Sequence, residues 1–197
     1  MRTSELNYSN KTILNIEDIS KILSISNESA KVAANRYVKN NQLIRLKRNY
    51  YITPPKFEQL GEEELFKLAN VIQVPSYISL TSALSYYNIS TQQMQNVIES
   101  VALKRTNNYK VKNIELRYFI IKKELYSYFI IEKDFFIATP EKSLADSVYL
   151  TSLSRYSCDF EAIDFSKINK QKVNQIIKRT NKKTISFWEN LCKRYKI

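Results

Sequence analysis

The chain of 197 residues has no histidine, one glycine and two cysteines, and each scarcity argues against a class of site. Without histidine it lacks the commonest general base and the commonest metal ligand of enzymes. A single glycine, Gly61, excludes a Walker loop, a dinucleotide fingerprint and the glycine-rich start of a nucleotidyltransferase site. Cys158 and Cys192 match no zinc spacing, so we expect reduced, partly buried thiols. We therefore expect a protein that is not an enzyme, with no catalytic residue, no metal and no cofactor.

Long apolar runs are also missing. Stretches such as Tyr118-Phe119-Ile120-Ile121 are far shorter than the ~20 residues that a membrane-spanning helix needs. Residues 1–20 contain no apolar signal core, which predicts a cytoplasmic chain without a membrane partner. The hydrophobic fraction of 44% is ordinary for a globular protein, and a chain of this length can fold without a disulfide or a metal.

Positive charge is what the chain has in excess: 31 Lys and Arg against 19 Asp and Glu give a net charge of +12. Residues 1–55 carry +5, residues 56–150 are neutral, and residues 151–197 carry +7. This asymmetry indicates a polyanionic partner, although a lysine-rich face can also serve solubility alone. The sharpest local feature is a stretch from Ser29 to Phe57 that has no acidic residue and contains Lys31, Arg36, Lys39, Arg45, Lys47, Arg48 and Lys56.

The first 55 residues have the pattern of two short helices followed by a hairpin. Asn15 and the carboxylates after it predict a helix over residues 16–24, and Ser26 or Asn27 begins a second helix that runs to about Asn40. Before Asn15 the sequence leaves two alternatives, an incomplete helical core or a strand over residues 11–14. Residues of the second helix divide into an inward face of Ala30, Ala33, Ala34, Tyr37 and Val38 and an opposite face of Asn27, Lys31, Asn35 and Lys39.

After the second helix, two strand-like runs flank a turn at Lys47-Arg48-Asn49, in which Asn49 can take a positive φ. This order predicts a winged helix-turn-helix domain over residues 1–55, with the second helix in the major groove of duplex DNA and the wing on the adjacent backbone. The candidate DNA-binding residues are Asn27, Lys31, Asn35, Arg36, Lys39, Arg45, Lys47, Arg48 and Asn49. The alternative is a helix pair and hairpin that only packs against the rest of the chain.

Pro54-Pro55 ends the wing and predicts a domain boundary, after which residues 56–197 form an α+β domain. We expect a small antiparallel or mixed sheet flanked by helices. The predicted strands are residues 97–103, 114–121, 125–132 and 135–138, and the predicted helices are 62–73, 79–87, one that starts at Pro140, 168–178 and 184–195.

Two features of this second domain were weighed for function. Glu141 and Asp146 lie five residues apart on one helix and therefore point about 140° apart, so we expect structural roles instead of an acid–base pair. The basic tail is either a solvated helical face or a second contact to nucleic acid or to a partner protein. Its candidate contact residues are Lys178, Arg179, Lys182 and Lys183.

Three segments resemble one protein family. Gln42-Leu-Ile-Arg-Leu-Lys-Arg-Asn49-Tyr-Tyr51 resembles a wing written L-I-R-L-x-R-G-x-Y. Ser76-Tyr-Ile-Ser-Leu-Thr-Ser-Ala-Leu84, with Tyr87-Asn88-Ile89, resembles Y-I-S-x-x-S-A-L-x-x-x-G-L. Phe136-Ile-Ala-Thr-Pro-Glu-Lys-Ser-Leu-Ala-Asp146 resembles v-A-T-P-E-K-A-L-x-D. In this order they are similar to the AbiEi antitoxins of abortive-infection type IV toxin–antitoxin systems, with Asn49 and Asn88 in place of two family glycines.

The resemblance implies a transcriptional autorepressor that binds inverted repeats in the promoter of its own operon, as a monomer or a homodimer on DNA. It also implies an antitoxin that counteracts a nucleotidyltransferase-like toxin, a further candidate partner. Two alternatives remain. One is a protein-interaction module that docks an acidic partner, and the other is a generic winged-helix regulator without a toxin.

Overall fold

A computed structural model describes residues 3–92 and 94–197, and within them the chain is an α+β protein with nine α-helices and two sheets, of three and six strands. Its contacts divide into two units, one that ends at Leu68 and one that comprises Ala69–Ile197. The sequence placed the boundary earlier, between residues 55 and 56. The chain after the two prolines stays with the first unit, because Lys56 donates hydrogen bonds to the carbonyl oxygens of Ser9 and Lys11.

The first unit is built around a three-stranded antiparallel sheet. Its elements are α1 (Thr3–Asn7), β1 (Leu14–Asn15), α2 (Ile16–Leu23), α3 (Asn27–Lys39), β2 (Ile44–Lys47), β3 (Tyr50–Ile52) and α4 (Pro54–Glu58). The strand order is β1-β3-β2. Leu6 of α1 and Leu14 of β1 are fully buried in one apolar cluster with α2 and α3. A short helix and a two-residue strand are therefore both present where the sequence left alternatives.

Local hydrogen bonds explain where α2 and α3 begin. The Asn15 side chain accepts a hydrogen bond from the Asp18 N–H at 2.9 Å, and the Asp18 carboxylate accepts one from the Asn15 N–H at 3.0 Å. This reciprocal capping box satisfies two of the backbone donors that a helix start leaves free. Ser24 ends α2 with a φ of 52°, and the Ser26 side chain caps α3 by accepting from the Ser29 N–H.

Asparagine takes the place of glycine at the turns of the first unit. Asn41, after α3, has a φ of 56°, and Asn49, between β2 and β3, has a φ of 66°. Asparagine is among the few residues other than glycine that adopt this left-handed conformation readily. The chain can therefore turn at both places although it has only one glycine.

The second unit contains a six-stranded mixed sheet with the strand order β6-β7-β5-β4-β9-β8. The strands are β4 (Ser76–Ile78), β5 (Val97–Ala102), β6 (Asn107–Val111), β7 (Ile114–Ile120), β8 (Phe129–Glu132) and β9 (Phe135–Ala138). The helices are α5 (Glu62–Ile72), which crosses the division between the units, α6 (Leu80–Tyr86), α7 (Pro140–Ser152), α8 (Lys170–Ile177) and α9 (Lys182–Tyr195). The pairs β4–β9 and β5–β7 are parallel, and the other neighbours are antiparallel.

The sequence pattern predicted neither β4 nor β6, and it included the turn before β8 in that strand. β4 has three residues, too few to show a period, and β6 is rich in polar residues with weak strand preference. The predicted strand over residues 125–132 is wrong at its start, because Lys123–Leu125 is a 3₁₀ turn and the strand begins at Phe129. Where β4, β6 and β8 form depends on pairing with neighbouring strands, and a single segment does not reveal that pairing.

Helix α7 carries a buried ion pair at the centre of the second unit. Thr139 caps the helix, Pro140 occupies its first turn, and Lys142 and Asp146 are 1% and 2% exposed. Their Nζ and Oδ1 atoms are 2.6 Å apart. The other carboxylate oxygen, Oδ2, accepts hydrogen bonds from the hydroxyls of Tyr77 and Ser79, each at 2.9 Å. Asp146 thus has a structural role, as expected.

A second buried carboxylate, Glu99 on β5, has a different environment. Its Oε2 accepts hydrogen bonds from the Tyr156 hydroxyl at 2.8 Å and from the Thr81 N–H at 3.1 Å. Burial raises the pKa of Glu99, and these hydrogen bonds only partly oppose the effect. Ionisation of the buried Glu99 therefore lowers the stability of the fold. The Asp146 carboxylate, in contrast, lies beside the Lys142 ammonium group.

Replacing Asp146 should lower the unfolding free energy more than replacing an exposed carboxylate does. Asp146→Asn leaves the buried Lys142 ammonium without its counter-charge, which costs about 3–5 kcal/mol of unfolding free energy in comparable buried pairs. Urea unfolding followed by circular dichroism measures the change. Glu161→Gln, which removes the carboxylate from an exposed ion pair with Arg194 at 2.7 Å, is the control and should change the unfolding free energy by less than about 1 kcal/mol. Equal stability of the two variants would contradict the assigned role of the pair.

The free energy of unfolding should depend on pH in the way that the raised pKa of Glu99 requires. A folded pKa above the ordinary glutamate value of 4.5 means that the wild type loses stability as the pH rises from that value through the folded pKa. Glu99→Gln removes this ionisation while its amide oxygen can still accept from Thr81 and Tyr156. We expect the variant to gain stability relative to wild type as the pH rises from 4 to 8, measured by urea unfolding. A difference that does not vary with pH, or one of opposite sign, would refute this account.

Candidate nucleic-acid interface

Helix α3 separates its apolar and polar residues onto opposite sides. The buried side is formed by small alanines and one aromatic ring, Ala30, Ala33, Ala34 and Tyr37, with Val38 packed beside them. The exposed side contains Asn27, Lys31, Asn35 and Lys39 at intervals of four residues. The predicted division of this helix into two faces is confirmed. Alanine on the inner side lets the helix lie close to its own core while its polar side faces solvent.

Two further side chains flank the exposed stripe of α3. Arg36 is exposed, and its guanidinium lies 5.5 Å from the centre of the Tyr37 ring. Val32 is 69% exposed, which is unusual for a β-branched apolar residue in a helix of a folded unit. The surface therefore combines cations, amides that donate and accept hydrogen bonds, and one apolar contact, with the exposed carboxylate of Glu28 beside them in the first turn of α3. Base edges in the major groove are recognised by these three kinds of group.

The hairpin after α3 presents the remaining candidates. Arg45, Arg48 and Asn49 are exposed, and Asn49 forms the turn with its positive φ. Lys47 is half-buried, with Nζ 4.4 Å from the centre of the Tyr50 ring, and burial lowers its pKa. This cation–π contact holds the ammonium group of Lys47 against the hairpin itself.

One cation of the acid-free stretch has a structural function. Lys56 lies in α4 and donates to the carbonyl oxygens of Ser9 and Lys11, and burial lowers its pKa. Its charge fastens the segment before β1 to the segment after the hairpin. The sequence could not distinguish it from the other six cations, because both of its partners lie more than forty residues earlier in the chain.

The four tail candidates have different environments. Arg179 donates to the Ser127 hydroxyl at 3.2 Å and to the Glu124 carbonyl at 2.7 Å, and its guanidinium lies 5.8 Å from the Tyr128 ring centre. It therefore joins the end of α8 to the turn before β8. Lys182 and Lys183 are exposed in the first turn of α9, and Lys178 is exposed at the end of α8.

The carboxylates and cysteines that the sequence singles out lie in separate environments. Within residues 3–92 and 94–197, no group of three Cys, Asp or Glu side chains could hold a metal ion. Glu141 is 3.9 Å from the Lys172 ammonium, while Asp146 is enclosed in the core. Both cysteines are free and partly buried, as predicted, and burial raises the pKa of the Cys158 thiol to about 12, which disfavours the reactive thiolate.

No helix among the described residues is both long and apolar enough to cross a membrane. Comparisons of the chain with protein families, with curated proteins and with solved structures give no match. The interface formed by the outer side of α3 and the β2–β3 hairpin is therefore interpreted from its own side chains.

Proposed function

We propose that the protein is a cytoplasmic DNA-binding transcriptional repressor whose first unit acts as a winged helix-turn-helix. The order of elements supports this proposal: α2 and α3 are joined by the short turn 24–26, a hairpin follows, and β1 pairs with the last strand, β3. In such domains the second helix of the pair enters the major groove and the hairpin contacts the neighbouring backbone.

The observation that carries the proposal is the composition of the exposed side of α3 and of the hairpin. Residues 29–57 contain no acidic residue, and the cations other than the structural Lys56 lie on α3 or on the hairpin, where five of the six are exposed. A surface that served solubility alone would have no reason to exclude acidic residues from twenty-nine consecutive positions. Phosphate groups of duplex DNA supply the counter-charge that this surface lacks.

Each group on this surface has a role in the proposal. Lys31, Asn35 and Arg36 contact base edges or the phosphates beside them, since amide and guanidinium groups can form paired hydrogen bonds with adenine and guanine. Asn27 and Lys39 lie at the two ends of the same stripe. The hairpin residues Arg45, Lys47, Arg48 and Asn49 hold the phosphate backbone and fix the register of the helix in the groove.

We further propose that the repressor is the antitoxin of its own operon, acting against a nucleotidyltransferase-like toxin. The three AbiEi-like segments support this step. Two of them meet in the second unit, where Tyr77 and Ser79 of one segment donate to Asp146 of another. Asn49 and Asn88, which replace family glycines, both have a positive φ, so the turns are kept without glycine.

The affinity for DNA should fall steeply as the salt concentration rises. Substitutions in the wing should affect binding differently from substitutions of base-contacting residues. With about six phosphate contacts, affinity for a promoter fragment should fall roughly 10³-fold between 50 and 200 mM salt. Lys47→Ala with Arg48→Ala should weaken binding to all sequences about equally and lower the salt slope by about 2. Asn35→Ala should instead reduce the preference for the promoter over random DNA.

Fluorescence anisotropy titrations at several salt concentrations measure these quantities. Lys104→Ala, which removes an exposed lysine of the second unit, is the control and should leave both affinity and slope unchanged. A flat salt response would refute the electrostatic part of the proposal. Loss of sequence preference in the wing variant, with Asn35→Ala unaffected, would show that the two roles are reversed.

The antitoxin role is tested by expressing the product of the adjacent open reading frame with and without this chain. Growth should stop when the neighbour is expressed alone and should resume when the chain is present. The Lys47→Ala, Arg48→Ala variant keeps the second unit intact and separates repression from neutralisation. A neighbour that is not nucleotidyltransferase-like, or growth arrest that the chain leaves unchanged, would eliminate the antitoxin and leave a generic regulator.

A further inference from the structure

A groove of about 570 Å³ lies between α8 and α9 in the second unit. Apolar side chains from both helices line it, namely Ile177 of α8 and Ile185, Trp188 and Cys192 of α9. Trp188 is 3% exposed, and its indole N–H donates to the Asn174 side chain at 2.6 Å. The floor of the groove is therefore apolar and fixed in position.

The rim of the groove is basic. Lys170, Lys178, Lys193 and Lys196 are exposed around it, and Glu189 is the only carboxylate among the described lining residues. Lys170 also donates to the carbonyl oxygen of Ile197, which places its ammonium group at one end of the groove. A neutral apolar ligand would offer these ammonium groups no counter-charge. Charge complementarity calls for an occupant that is apolar on one side and acidic at both edges of that side.

The dimensions of the groove indicate the shape of the occupant. Its α9 wall runs from Ile185 to Lys196, which corresponds to about 17 Å at 1.5 Å per residue, or three helical turns. The groove is open to solvent along its length, whereas small-molecule sites enclose most of the ligand surface. An occupant that fills the apolar floor and keeps its other side in water is an amphipathic helix of about twelve residues.

We propose that this groove binds an acidic amphipathic helix of a partner protein. Apolar side chains of the occupant at i, i+3 or i+4, and i+7 pack on Ile185, Cys192 and Ile197, the partly exposed apolar side chains of the lining, while its flanking carboxylates pair with the rim lysines. Single-stranded nucleic acid fits less well, because the bases need an exposed aromatic face and Trp188 is buried. The proposal does not depend on DNA binding by the first unit.

Trp188 is the only tryptophan of the chain and lies in the groove, so its fluorescence reports occupancy directly. The full chain is titrated with a synthetic fourteen-residue helical peptide that has leucine along one side and glutamate at the flanks. We expect a saturable change in tryptophan emission. A peptide with the same leucines and lysine flanks should bind at least about tenfold more weakly, since each lost contact is replaced by repulsion.

Charge reversal on the rim provides the second arm of the experiment. Lys178→Glu with Lys193→Glu should weaken binding of the acidic peptide at least about tenfold and strengthen binding of the lysine peptide. Lys104→Glu with Lys110→Glu, at exposed positions that do not line the groove, should change neither. Circular dichroism verifies that both variants are folded. Equal binding of the two peptides, no binding of either, or preferential binding of an oligonucleotide or of dodecanoate at this groove would each overturn the proposal.

Discussion

The buried ion pair between Lys142 and Asp146 is the constraint on which the second unit depends. Two charges that have been removed from water are stable only if each is matched within the core. The ammonium group meets the Asp146 carboxylate and the Leu125 carbonyl, and the carboxylate also accepts from Tyr77 and Ser79. These partners come from α7, from β4 and the residue that follows it, and from the turn before β8. One side-chain pair therefore sets the relative position of three parts of the unit.

This network also gives a physical meaning to two of the AbiEi-like segments. The segment that begins at Ser76 and the segment that ends at Asp146 share hydroxyl–carboxylate hydrogen bonds between buried side chains of the core. A short run of polar residues that would suggest an active site in an exposed cleft is here a means of holding a sheet against a helix.

The surface cations differ in what they touch. Arg179 and Lys56 are bound to backbone carbonyls and act within the fold, although they looked identical to their neighbours in the sequence. The cations on α3 are exposed opposite a buried apolar side, and those on the hairpin are exposed except for the half-buried Lys47. Those around Trp188 surround an apolar floor, which suits an acidic protein segment better than a phosphate backbone. The basic side chains behind the net charge of +12 therefore lie in several different environments.

The sequence by itself determined the elements whose causes are local. The capping pair of Asn15 and Asp18, the start of α7 at Thr139-Pro140, the two faces of α3 and the turn at Asn49 all depend on residues within four positions of one another. Only the tertiary structure decided the strand order, the two missed strands β4 and β6, and the partners of the buried charges. Asp146 binds a tyrosine 69 residues away, and no local pattern encodes a contact at that separation. Short-range signals thus specified the elements, and long-range packing decided which polar residues became core and which remained free to bind.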